Sequence, residues 1–169
     1  MSHVHRLLLS DRLFFVNVNL RPRIKTFRLD EYPLLIEAMK GARLRLKFLL
    51  WGYVLMPNHC HALFWPTSPL LISQVLHDVK RISTLRLHAV RHTHGPFWQH
   101  QFWDRFVRHA QEFRERLDDM HPNPVKAGLV KRPEDGRWSS HNNFALDKAT
   151  VAACPIQIDH VRLPESHRG

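Results

Sequence analysis

With 169 residues, 44% of them hydrophobic, the chain is sized for one compact domain with its own core and needs no disulfide staples. Lysine and arginine total 25 against 15 acidic residues, giving a formal charge of +10, and no stretch approaches membrane-spanning length, so the balance points to nucleic acid as the polyanionic partner rather than a lipid surface. The two cysteines, Cys60 and Cys154, lack metal-site spacing, and no basic-then-apolar leader precedes a small-residue cleavage site, so a reducing cytoplasm is the expected location.

The first run, Arg12 to Leu20, is rich in Phe and Val and closes at Arg21-Pro22, a strand pattern in which Asn17 and Asn19 share one face. Asp30 then offers an N-cap with Pro33 in the first turn, and the apolar spacing predicts a helix to about Arg43. Arg45 to Met56 is a second predicted strand; Pro57-Asn58 turns the chain, and His59 to Trp65 returns antiparallel. After a loop, Ser68 is the expected cap of a helix whose apolar members are Leu70, Leu71, Val75, Val79, Ile82 and Leu85 and whose other face carries Lys80, Arg81, Arg86 and Arg91. From His94 to Arg108, aromatic residues interleave with Arg105 and Arg108, a composition that serves either base stacking with phosphate pairing or core and lid packing. A third helix is expected from Glu112 to about His121, stopped by Pro122 and Pro124. The remainder gives a domain over 1–149 and an irregular tail over 150–169 with at most one short strand.

Strand, helix, two strands and helix in that order predict an α+β, ferredoxin-like sandwich, an antiparallel sheet with helices mainly on one face. His59 and His61 would then lie on a central strand, facing away from the main helix layer, with Cys60, Ala62 and Phe64 turned into the core. A chain with 14 histidines contains roughly one H-x-H by chance. Here there are three, but His3/His5 and His92/His94 fall in polar segments, where solvated histidines are the ordinary case. His59/His61 is embedded in an apolar strand, and taken from the residues alone it is open between metal or catalysis and satisfied structural histidines.

Four strings in order, YVLMPNHCHALFW, GPFWQHQFWDRFVR, NPVKAGLV and RPEDGRWSS, resemble the REP-associated tyrosine transposases, a branch of the HUH single-strand DNA endonucleases. The likeness runs from about Phe14 to Phe144. It implies a ferredoxin-like fold and a divalent cation, Mg²⁺ or Mn²⁺, held by His59 and His61 with Asn123 as the third ligand. It also implies a tyrosine nucleophile on a later helix, but this chain has Asp119 at that position. The expected partner is a hairpin in single-stranded DNA, contacted by Lys80, Arg81, Arg86, Trp98, Arg105, Arg108 and Lys126, with no membrane, no protein partner, and a monomer or homodimer as the assembly.

Three functions compete at this point. The first is a transposase-like nuclease that binds such hairpins and cleaves and rejoins the strand with metal help. The second is a binding module of the same lineage without the covalent link, which Asp119 favours. The third is a metal-dependent RNA-binding or RNA-processing protein, which charge and aromatics allow.

Overall fold

The computed structural model describes residues 12–160. Its centre is a four-stranded antiparallel sheet of β1 (Leu13–Asn19), β2 (Leu49–Leu55), β3 (His59–Trp65) and β4 (Trp103–Val107) in the order β2-β3-β1-β4. Helices α1 (Tyr32–Leu46) and α2 (Ile72–Arg91) link the strands in the βαββαβ order of a ferredoxin-like sandwich, as expected. Both helices cover one face of the sheet. There Phe14, Val16 and Val18 of β1 and Ala62 and Phe64 of β3 pack with Leu35, Met39, Leu76 and Leu87.

The opposite face is covered only in part, by α3 (Ala110–Met120), whose Leu117 and Met120 pack on Leu13, Phe15, Trp51, Val54 and Leu63. Gly52 makes that approach possible: a Cβ there would lie 3.0 Å from the Met120 methyl and 3.1 Å from a Leu117 methyl. The short helices α4 (Asn123–Lys126) and α5 (Lys148–Ala152) follow.

Several boundaries differ from the sequence expectation for identifiable reasons. Helix α1 runs three residues past Arg43 and closes on Lys47, which takes a left-handed φ of 60°, so β2 begins at Leu49 rather than Arg45. Helix α2 starts at Ile72, well beyond Ser68, and its first turn is closed by Gln74, whose side-chain oxygen accepts the Leu71 N–H at 2.8 Å. Helix α3 starts at Ala110 because the His109 ring accepts the Glu112 N–H. Its hydrogen-bond ladder makes its last bond from the His121 N–H to the Leu117 carbonyl at 2.9 Å, since Pro122 has no N–H to give, although His121 and Pro122 keep helical dihedrals into α4. Asp119 and Asn123 therefore belong to two helices, not one.

Strand β4 was not anticipated as a strand, because Trp103, Asp104 and Arg105 are all exposed on a sheet edge and show no buried alternation. The tail also departs from expectation. Its first described part forms the end of α5, and Ile156 and Ile158 are buried in the main core while Asp159 accepts the Leu50 N–H and pairs with Arg43 at 2.6 Å.

Candidate metal and nucleic-acid site

Strand register builds the site. Asn17 of β1 stands directly opposite His61 of β3 on one side and Trp103 of β4 on the other, and Asn19 stands opposite His59. Directly paired residues share a face, so His61, Asn17 and Trp103 form one row across three strands. With neighbouring strands about 4.8 Å apart, the row spans roughly 10 Å from imidazole to indole. All of it lies on the face opposite α1 and α2.

The His59 and His61 rings are 4.8 Å apart and nearly perpendicular. Burial lowers the pKa of His59; burial and the neighbouring His59 push His61 down to about 4. Both imidazoles are thus neutral near pH 7 and keep a lone pair for a cation. The Asn58 side-chain oxygen accepts from His59 Nδ1 at 2.7 Å, which leaves His59 Nε2 as the lone-pair nitrogen. His61 Nδ1 is buried with no hydrogen-bond partner.

Helix α3 closes one flank. Phe15 stacks on His61 with centroids 5.5 Å apart, the Arg116 guanidinium lies 5.7 Å over Phe15, and Arg116 holds Asp119 at 3.3 Å. Asp119 is thereby tethered near the histidine face but remains two-thirds exposed. Among the described residues no group of three His, Cys, Asp or Glu side chains is arranged to share a metal ion, so Asp119 does not complete a set with the two histidines. Asn123 is half-buried at the start of α4.

The chain's two tyrosines lie elsewhere. Tyr53 is fully buried in the core on the α1/α2 side of the sheet, and burial drives its hydroxyl pKa upward. Tyr32 is in the same core, stacked on Trp138. His3 and His5 lie outside the described residues; His92 caps the end of α2, away from the sheet row.

The residues expected to meet nucleic acid divide between the two faces. On the α2 side, a groove of about 810 Å³ is lined by Arg21, His77, Lys80, Arg81, His100 and Phe102, and it borders the edge strand β4. Arg81 and Arg86 are exposed on α2, Arg81 sharing Asp78 with Arg45. Lys80 is half-buried and donates to the Gln99 and His100 carbonyls, so its ammonium ties the loop to α2. On the histidine side, Arg105 is exposed and lies 3.6 Å from Glu112; Arg108 follows β4 and Lys126 ends α4, both exposed.

Two expectations need correction. Trp98 cannot stack a base: it is 8% exposed, its ring packs against Phe27 at 5.4 Å, and its indole N–H is given to Ser83 Oγ. Arg91 is likewise structural, since it forms a buried pair with Glu31. Burial alone would raise the Glu31 pKa, but Arg91 and the Arg28 N–H outweigh it and hold it below the usual carboxylate value. The residue that sequence reasoning missed is Trp103, half exposed on the row with His61 and edge-on to Phe15. Nothing local in WDRFV marks it; the β1–β4 register is what puts Trp103 and Arg105 on one face.

Comparisons with known proteins agree with this fold. The family described as "Transposase IS200 like" matches residues 16–111. A REP-associated tyrosine transposase of Escherichia coli K12 is 28% identical over 147 residues, 86% of each chain. A solved structure of a REP-associated tyrosine transposase bound to a REP hairpin superposes with a TM-score of 0.70 at 27% identity, covering 83% of each chain. No described helix is long and apolar enough to cross a membrane.

Proposed function

The chain belongs to the IS200-like transposase family, and from that premise we propose that it binds hairpins in single-stranded DNA and presents the adjoining strand to a divalent-cation site on His59 and His61. The observation that carries this reading is the row His61-Asn17-Trp103, in which two neutral imidazoles and an exposed indole share a face that runs to the open edge of the sheet. The donor set fits a cation: His61 Nδ1 is buried without a partner, and both rings are held neutral. Bound there, Mg²⁺ or Mn²⁺ supplies Lewis-acid polarisation of a phosphate oxygen.

The chain's own residues supply the rest. Arg81 on the α2 groove and Arg86, exposed on the same helix, meet backbone phosphates of the stem. The strand leaving the stem crosses β4, where Trp103 offers a stacking surface and Arg105 and Arg108 offer charge. A solved relative is bound to a REP hairpin, which favours DNA over the RNA alternative.

Asp119, at the position where the family resemblance puts a tyrosine, makes this a binding protein that forms no stable phosphotyrosine link. Both tyrosines of the chain are packed in the core on the far side of the sheet. A second reading, strand cleavage with Asp119 as nucleophile, draws on its exposure beside Arg116, but the acyl phosphate it would form is labile and poorly suited to holding a DNA end.

The test is a labelled single-stranded hairpin with Mn²⁺, run on native and denaturing gels. The wild-type protein should shift the hairpin on the native gel and leave no protein-linked DNA on the denaturing one. Asp119→Tyr, best combined with Pro122→Asn to restore the helical N–H, should generate the covalent adduct. Abundant adduct from the wild-type chain, lost on Asp119→Ala, would overturn this reading.

A further inference from the structure

The cation site proposed above has an unexplained feature, and this inference rests on that site. Buried polar side-chain atoms in folded proteins nearly always find a partner, so each exception needs a reason. Asn17 Oδ1 and His61 Nδ1 are both buried without one. They are also directly opposite each other in the β1–β3 ladder, on the same face of the sheet, with Cβ atoms about 5 Å apart by strand geometry. Two orphaned groups on neighbouring side chains point to one missing partner that both can bind.

We infer that Asn17 supplies an oxygen ligand to the cation held by His59 and His61. An amide oxygen beside two neutral imidazoles is a mixed N/O donor set suited to Mn²⁺ or Mg²⁺. Among the described residues no third His, Cys, Asp or Glu is grouped with the pair, which leaves the place of a third protein donor open to an amide oxygen. Asn17 has a further qualification. It sits on a central strand fixed by ladders on both sides, whereas Asn123 sits at the break between two helices. A rigid strand holds a ligand within the narrow tolerance that a cation demands.

The experiment is a Mn²⁺ titration of the full metal-free chain, followed by loss of the free-ion electron paramagnetic resonance signal, alongside thermal melts without metal. Asn17→Ala should weaken Mn²⁺ by roughly 10- to 100-fold while leaving the metal-free melting temperature unchanged, because the side chain it removes makes no hydrogen bond through its oxygen. Asn17→Asp should bind Mn²⁺ at least as tightly as wild type, since it keeps the oxygen and adds charge. Wild-type affinity in Asn17→Ala would overturn the inference, as would weak binding in Asn17→Asp or a lowered metal-free melt in both variants, which would mark Asn17 as structural. If wild-type protein binds no Mn²⁺ saturably, or His59→Ala and His61→Ala leave binding intact, the cation site itself is wrong and the inference falls with it.

Discussion

Acid should weaken this fold through a histidine outside the His61-Asn17-Trp103 row. His121 is 7% exposed, and its Nε2 lies 2.9 Å from Ser140 Oγ, which also accepts the Tyr53 N–H at 2.9 Å. With the ring neutral, Nε2 can accept the hydroxyl proton while Oγ takes the Tyr53 N–H, an arrangement that protonation of the ring removes. The His141 ring lies 5.3 Å away, and Phe144 packs alongside. Burial, and secondarily His141, push His121 down to about 4. A histidine depressed in the fold binds its proton more readily in the unfolded chain, so stability is full above the unfolded value of about 6.5 and falls as the pH drops toward 4. Protonating the ring in place costs about 3 kcal/mol at most, at 1.36 kcal/mol per pH unit, and linkage gives a loss of about 2 kcal/mol between pH 7 and pH 5. Urea unfolding of wild type and His121→Gln at those two pH values measures it. Glutamine can still accept from Ser140 but cannot titrate, so the wild-type loss should exceed the variant's by about 2 kcal/mol. Equal pH dependence in the two proteins would refute the reasoning.

Binding to a single-stranded hairpin should weaken steeply with salt. Arg81→Ala and Arg86→Ala should each flatten the log–log slope by about 0.7 to 0.9, and salt-independent binding would refute a phosphate-dominated interface. Trp103→Ala should weaken a hairpin carrying a single-stranded extension by roughly 5- to 150-fold, the equivalent of 1–3 kcal/mol of base stacking, while a blunt hairpin loses little. Equal losses for the two ligands, measured by fluorescence anisotropy, would remove Trp103 from the path of the strand.

Much of the architecture was legible because it follows from periodicity. The alternation in His59 to Trp65 puts the histidines on one face and Cys60, Ala62 and Phe64 in the core, and the structure has them so. What failed was whatever depended on partners distant in sequence. Trp98 and Trp103 are five residues apart in one aromatic, basic string, and nothing local separates them. Their fates diverge because Ser83 waits to accept the Trp98 N–H, while Trp103 has an open sheet edge beside it. Arg91 looked like one more cation of a basic face until Glu31, 60 positions away, turned out to be its partner. Asn17 and Asn19 were visible as polar residues on one face of a strand. Only the register showed which histidine each one faces.

The same register clarifies what Asp119 changes. Arg116 bridges two parts of the site, lying over Phe15, which stacks on His61, while its guanidinium pairs with the Asp119 carboxylate. A tyrosine at 119 would leave that guanidinium without its carboxylate and free to face an incoming phosphate. With aspartate there, the positive charge of Arg116 is partly neutralised and a second negative charge stands beside the path of the DNA backbone. On the function proposed above, aspartate at 119 both lacks a tyrosine's nucleophilic oxygen and weakens a phosphate contact at the same flank. That predicts a particular pattern for Asp119→Ala. It should restore no covalent chemistry, yet it should bind the hairpin's single-stranded arm more tightly than wild type, because Arg116 is released. If Asp119→Ala binds no better, Arg116 does not face the phosphate path, and the strand crosses the sheet elsewhere than beside α3.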